Sequence, residues 1–417
     1  MKPTICSRLT TEAQGAALYR LSWLAYAAAY VGRYNYSAVM GAITAGGTLS
    51  LSAAGAVSTG YFICYAAGQI LFGLLSQSLS PYGMIFVGLC GSGLCNLGMG
   101  ATPAALLGLL WAVNGLFQAM IWPPIVRLFA ESMPLERQKS ACVSINSTTP
   151  AGTLAAYALS AVLLQWAGWN HVFFACGGLL LGMALVFWLG TAALRRATHY
   201  QPQEKQQQSG QGNIVFTLLA AGLGALLVPV ILHGGLKDGV TSWVPSMIQS
   251  TFGASPAFSA AISMALPLVN LTGAYLSGWL NEHLLHNELK TAGALFALAS
   301  ACLLALPLAV RTSLVLAVLL LAVTTASMLG ANTMFINVIP VKAGRNGGAA
   351  VLSGTLNAIT YLGAAGATWG IGAAAECFGW NAVFLLWLGM AVLALLVSVL
   401  LAGRWADFVN TNEGGNS

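Results

Sequence analysis

The sequence is poor in charge: of 417 residues only 16 are Lys or Arg and 10 are Asp or Glu, 6% together. A soluble domain carries roughly 25% charged residues, so too few side chains exist here to cover a water-facing surface. A soluble enzyme is excluded on that ground, and intrinsic disorder is excluded because it needs the opposite bias. Long hydrophilic stretches are missing as well, apart from the one beyond Arg195 that holds QPQEKQQQSGQG. The eight cysteines form no CxxC pair, which argues against structural disulfides or a zinc site. No His/Asp/Glu cluster and no nucleophile–base set lies at one depth, so we expect no metal, no cofactor and no enzymatic activity.

What is abundant is apolar sequence, 58% of the chain, with 48 glycines that let helices approach closely. Apolar stretches recur at 17–44, 51–77, 81–101, 105–130, 138–166 and 169–194, then at 218–249, 256–281, 290–309, 312–339, 346–375 and 379–403. Each has the length of a bilayer-spanning helix, about 20 residues. The spacing predicts an all-α membrane protein of twelve transmembrane helices, six on either side of the hydrophilic stretch. Thirteen of the sixteen basic residues fall on the side that carries both termini, and Arg311 alone falls opposite. The positive-inside rule then makes both termini cytoplasmic in a multi-pass plasma (inner) membrane protein. Its surroundings are the lipid bilayer, with no nucleic acid as partner, and we expect a monomer.

Two basic residues belong to no connector. Arg33 follows Arg20 by thirteen residues, about 20 Å along a helix and so close to mid-membrane. Lys237 sits near the centre of the seventh span. A cation at that depth costs several kcal/mol and normally faces an interior cavity. One in the first helix of each half suggests a site shared across a pseudo-two-fold axis, as in secondary transporters. Among the carboxylates only Asp238 has comparable depth; Glu282 and Glu288 are expected in a cytoplasmic connector, and Glu376 at the outer end of span eleven. Even with Asp238 neutralising one cation, a net positive cavity remains for an anionic substrate to complete. The alternative is internal neutralisation of the pair by Asp238 and helix carbonyls.

Tyr26, Tyr30, Arg33 and Ser37 are spaced to share one helix face, which reads as cavity lining. Asn35 and Tyr36 point elsewhere and are expected to pack. Gln69, Asn114, Gln118, Asn146, Thr149, Asn270, Asn332, Asn337 and Asn357 all lie inside spans and need interior partners, interhelical hydrogen bonding being as good an account of each as substrate binding. Pro123-Pro124, Pro150, Pro229, Pro245 and Pro267 are expected to kink their helices and free carbonyls. Trp122, ahead of Pro123, walls a cavity or anchors at an interface. His233, one turn before Lys237, is the one histidine placed to line the cavity.

With these residues in view, the chain resembles the major facilitator superfamily, and within it the organophosphate:phosphate antiporter branch. The resemblance runs along nearly the whole length. It is carried by YAAAYVGRYNYSA (26–38), FQAMIWPPIVR (117–127), ERQKSACVSIN (136–146), LKDGVTSWVP (236–245), YLGAAG (361–366) and FGWNAVF (378–384). It implies two pseudo-symmetric six-helix bundles, residues 1–194 and 214–417, joined by a cytoplasmic linker 195–213 and rocking about a central anion site. It also implies that Arg33 and Lys237 clamp the anion, with Tyr26, Tyr30, Tyr65, Trp122, Asn146 and Tyr361 lining the cavity.

The chain departs from the family pattern at four of these places. Lys237 stands where arginine is usual, keeping charge but losing the bidentate fork. Gln69 replaces a usual lysine, Thr149 replaces a usual histidine, and Asp238 is atypical. The loop GLLSQSLSPYG (73–83) has Gln77 in place of the family's aspartate and no basic residue, so the latch of the cytoplasmic side is expected to be partly missing and the resting balance of inward- and outward-facing states altered. We therefore expect an alternating-access carrier of a small anion, an organophosphate such as a sugar phosphate or glycerol phosphate exchanged for inorganic phosphate. The alternatives are a proton- or sodium-coupled symporter of a carboxylate or sugar acid, with Asp238 as the coupling group, and a membrane sensor that binds an anion without moving it.

Overall fold

A computed structural model of the protein describes residues 9, 11–76, 78–133, 141, 144–198, 222–343 and 349–414. Among them run twelve long helical segments. The first six are α1 (Glu12–Ala45), α2 (Leu51–Leu75), α3 (Pro81–Ala101), α4 (Ala104–Phe129), α5 (Thr148–Trp166) and α6 (Trp169–Gly190). The second six are α7 (Leu227–Phe252), α8 (Pro256–Leu285), α9 (Glu288–Thr312), α10 (Leu314–Ala343), α11 (Ala349–Phe378) and α12 (Trp380–Gly414). Helices are the form that satisfies every backbone N–H and C=O within one segment, which a bilayer demands. Ten of the twelve expected stretches are matched to within a few residues, apart from a longer end on α12. For the fifth and seventh, the predicted starts at 138 and 218 lie outside the described residues, as do Gln77 and residues 199–213 of the linker.

Among the described residues eight helices are long and apolar enough to cross a membrane: α2, α3, α4, α6, α8, α9, α10 and α12.

The chain forms two compact units. One comprises residues 1–49, 60–207 and 256–261; the other comprises 50–59, 208–255 and 262–417. The first turns of α2 thus count with the second unit and the first turns of α8 with the first.

In the first unit α1 packs on α5 and α6, and α3 on α4 and α6. The α3–α6 crossing is made at Gly93 and Gly177, where a Cβ on Gly177 would stand 2.9 Å from the Gly93 carbonyl oxygen. In the second unit α7 packs on α10, α11 and α12. Its crossing with α11 needs Gly234 and Gly363, because a Cβ on either would run into the Thr360 or Ile231 carbonyl. Starts and stops follow ordinary capping chemistry. Thr11 and Gln14 form a capping box at α1, Ser80 caps α3 ahead of Pro81, and the Asn287 side chain accepts the Leu289 and Lys290 N–H groups at 3.0 Å each.

Two helices carry the same break at the same place in each half. Pro123 in α4 has no N–H for the carbonyl four residues earlier. That carbonyl, Ala119, instead accepts from Gln69 Nε2 at 3.3 Å. Pro340 in α10 likewise orphans the Ile336 carbonyl, which accepts from Ser353 Oγ at 2.7 Å. Residues Thr333–Val338 ahead of it wind as a π-helix.

Glu288, expected in a cytoplasmic connector, is the first residue of α9 and 1% exposed. Its carboxylate pairs with Lys342 Nζ at 2.6 Å and accepts from Trp405 Nε1 at 2.7 Å and Asn281 Nδ2 at 3.2 Å. A buried carboxylate persists only with such a full set of partners. It ties the ends of α8, α9, α10 and α12 together.

Candidate functional site

The first unit builds its site around Arg33. The guanidinium carbon lies 4.6 Å from the centroid of Tyr65, 5.5 Å from Tyr61 and Phe62, 5.7 Å from Tyr30 and 5.8 Å from Tyr34. Five rings from α1 and α2 thus surround one cation that is 6% exposed. Ring faces attract a cation through their quadrupoles and, having no net charge, do not cancel it. They fix the side chain and keep water away from it. Charge in such a dry surround acts far more strongly than in water.

The tyrosine stripe continues below Arg33. Tyr26 and Tyr30 bring their hydroxyls to 3.4 Å, and Trp122 stacks on Tyr26 with centroids 4.9 Å apart. The structure places Tyr26, Tyr30, Tyr65 and Trp122 in one neighbourhood with Arg33. Tyr36 turns away, as expected, and packs against Trp111 and Phe173.

What holds Arg33 at its depth is a buried amide network that sequence reasoning met only in part. The Gly32 carbonyl, next to Arg33, accepts from Asn96 Nδ2 at 3.3 Å and Asn114 Nδ2 at 3.2 Å. Gln118 Nε2 donates to the Ala29 carbonyl at 2.9 Å and to Ser92 Oγ at 3.0 Å, and Ser92 donates to Asn114 Oδ1 at 2.6 Å. Asn35 closes the set by donating to Asn96 at 2.7 Å. Asn114 and Gln118 were flagged by their place inside a span. Asn96 and Ser92 were not, although their four-residue spacing within an apolar run was the available signal.

Three further candidates are placed as follows. Gln69 spends its amide on the Ala119 carbonyl, repairing the proline break. Asn146 is exposed in a 3-10 turn, Ile145–Ser147, that precedes α5 rather than lying within it. That turn is held to α1 by Trp23 Nε1 donating to Ser147 Oγ at 2.9 Å. Thr149 is half-buried in the first turn of α5.

The second unit builds its site around Lys237. Its ammonium lies 3.2 Å from Asp238 Oδ1 and 3.1 Å from Oδ2, and 5.7 Å from the Tyr361 ring centroid. The internal neutralisation that stood as the alternative is therefore present for Lys237. The ammonium side chain is 18% exposed and the carboxylate 1%. His233, one turn earlier, is fully buried, with Nδ1 2.7 Å from the Val230 carbonyl, Nε2 3.1 Å from Asn332 Oδ1 and its ring against Phe335. No group of three or more His, Cys, Asp or Glu able to hold a metal occurs among the described residues.

The family model described as Major Facilitator Superfamily matches residues 22–368. A membrane sensor protein, UhpC, of Salmonella typhimurium is 25% identical over 87% of this chain and 86% of its own length. A probable hexose phosphate transport protein of Chlamydia trachomatis is 22% identical over 90% and 88%. The second of these carries a phosphate ester in its name, the substrate class of the branch that the motifs resemble. Among solved structures, a bacterial homologue of the human lysosomal transporter Spinster superposes with a TM-score of 0.75 at 16% identity, covering 96% of this chain and 98% of that one.

Proposed function

From its place in the major facilitator superfamily, to which the chain belongs, we propose that this multi-pass membrane protein is a secondary carrier of a small organic phosphate ester. The substrate is a sugar phosphate or glycerol phosphate, exchanged for inorganic phosphate by alternating access. The observation that carries this reading is Arg33, a buried cation boxed by five aromatic rings and steadied by the amide network at Gly32. Such a cation binds an oxyanion by charge-assisted, bidentate hydrogen bonds. Tyr26, Tyr30, Tyr65 and Trp122 offer hydroxyls and ring faces to the rest of the molecule. Lys237 and Tyr361 are the second unit's own candidate contact for an anion.

In this reading the anion neutralises Arg33, and neutralisation lowers the barrier for the bundles, 1–194 and 214–417, to rock about it. The carrier acts as a monomer in the plasma membrane with both termini cytoplasmic. Labelled phosphate offered to proteoliposomes, preloaded with phosphate or empty and without an ion gradient, tests it. Uptake confined to loaded vesicles supports exchange; no uptake in either refutes it.

Two further readings each have one observation in favour. The Lys237–Asp238 pair suits a proton- or sodium-coupled symporter of a carboxylate or sugar acid, and uptake that follows an imposed ion gradient identifies it. The likeness to a membrane sensor protein suits an anion sensor, identified by anion binding without flux.

A further inference from the structure

We propose that Arg195 and Arg196 hold the phosphate of an anionic glycerophospholipid where the chain leaves α6, with Trp188 behind the guanidinium and the outer face of α6 as the bed for the acyl chains. The two arginines lie in a short helix, Ala192–Ala197, just beyond the apolar span of α6, Trp169–Gly190. An arginine so placed ordinarily snorkels, laying its stem on apolar surface and carrying the charge out to water. Arg195 does the reverse. It turns back two helical turns, and its guanidinium carbon rests 3.5 Å from the centroid of the Trp188 ring, inside the span. Phe86 of α3 lies against the same indole, with centroids 4.9 Å apart, so the ring is held between two helices.

Stacking on an indole occupies one face of a guanidinium and leaves its N–H edge to bind. Nη1 of Arg195 is hidden from solvent and has no hydrogen-bond partner among the described residues. A buried donor left unmet is costly, and the side chains nearby do not meet it. Glu131 is taken by Arg127 at 2.8 Å, Glu12 lies in the first turn of α1, and Arg195 enters no ion pair among the described residues.

The bilayer supplies what is missing. Tryptophan marks the headgroup level of a membrane, so a guanidinium drawn down onto Trp188 lies where lipid phosphates are. Leu185, Val186 and Leu189, in the last two turns of the span, are exposed and continue that place as an apolar surface. Arg196 beside it is exposed as well. Two adjacent cations favour a headgroup with net negative charge, whereas a zwitterionic one would bring its own ammonium against them. The site is distinct from the Arg33 site and holds whatever the cargo proves to be.

The test uses the full-length chain in detergent, titrated with phosphatidylglycerol or phosphatidylcholine of matched acyl chains. Each variant is read against its own lipid-free melt, and retained lipid is counted by native mass spectrometry. Phosphatidylglycerol should raise the wild-type melting point and stay bound, and phosphatidylcholine should do neither. Arg195→Gln should need about 10- to 100-fold more phosphatidylglycerol for the same rise, the loss of one charge-assisted hydrogen bond. Arg195→Lys, charged but without the fork, should fall between. Lys290→Gln, which removes an exposed cation on the other unit, should respond as wild type. Equal responses to the two lipids overturn the proposal, as does a wild-type response in Arg195→Gln or an equal loss in Lys290→Gln. Excess inorganic phosphate should displace no more lipid than sodium chloride of equal ionic strength; displacement by phosphate alone means that a free anion takes the site and overturns the lipid assignment.

Discussion

Gly152→Ala probes how closely the Arg33 site depends on the placement of α1. Gly152 lies on α5 where that helix crosses α1, and an added Cβ would stand 2.5 Å from Tyr30 Cβ and nearer still to the Ala27 carbonyl oxygen. Carbon atoms rest about 3.5–4.0 Å apart, so the helices must part by about 1 Å. Overpacking of this kind costs about 1–3 kcal/mol. The shift falls on Tyr30, whose ring lies 5.7 Å from Arg33 and stacks on Tyr34 at 6.1 Å. A misplacement of about 1 Å at a binding constellation can cost about 100-fold in rate. Gly178→Ala and Gly182→Ala are the matched controls, because a Cβ at either meets nothing within 4 Å. Alanine there should be neutral or slightly stabilising, by up to about 1 kcal/mol. The assay pairs thermal unfolding in detergent with the initial rate of phosphate counterflow per folded protein. If Gly152→Ala matched Gly178→Ala in both, the α1–α5 contact would not set the site.

Gln69→Ala should lower stability by about 1 kcal/mol, the worth of a hydrogen bond to a freed carbonyl. Gln69→Lys, which keeps a donor, should recover most of that loss in the same melt, and an equal loss in both variants would mean the Ala119 contact is idle. Lys342→Met strands the buried Glu288 carboxylate and should destabilise by about 3 kcal/mol, the lower end for a broken buried pair because Lys342 is part-exposed. The Glu288→Gln/Lys342→Met double variant should melt above the single one, and a lower melting point would show that the pair is not the unit. Gln118→Leu removes the donor to the Ala29 carbonyl and to Ser92 at once. It should weaken phosphate binding together with stability, whereas unchanged binding would separate the amide network from Arg33.

Most of the helices were legible because a bilayer leaves a chain few options: an apolar run of the right length must be a helix. Arg33, Lys237 and the Tyr26–Tyr30 stripe were legible for the same reason, since a cation or hydroxyl at that depth demands an explanation. The role of Gln69 was not, because polarity inside a span does not say whether the partner is a substrate or a carbonyl released by Pro123. Glu288 was misplaced because connectors and helix starts look alike in sequence, and its partners Lys342 and Trp405 lie 54 and 117 residues away. Tyr34, Tyr61 and Phe62 were overlooked at Arg33, since aromatics in apolar runs carry no mark that separates lining from packing.

The account stands or falls on Arg33, and the direct measurement is labelled phosphate binding and counterflow in wild type, Arg33→Lys and Arg33→Ala, each checked for an intact melt. Arg33→Ala should lose both. Arg33→Lys, keeping charge but not the planar fork, should lose about 10- to 100-fold, equivalent to one charge-assisted hydrogen bond of about 1.5–3 kcal/mol. Wild-type binding and counterflow in Arg33→Ala would contradict the account.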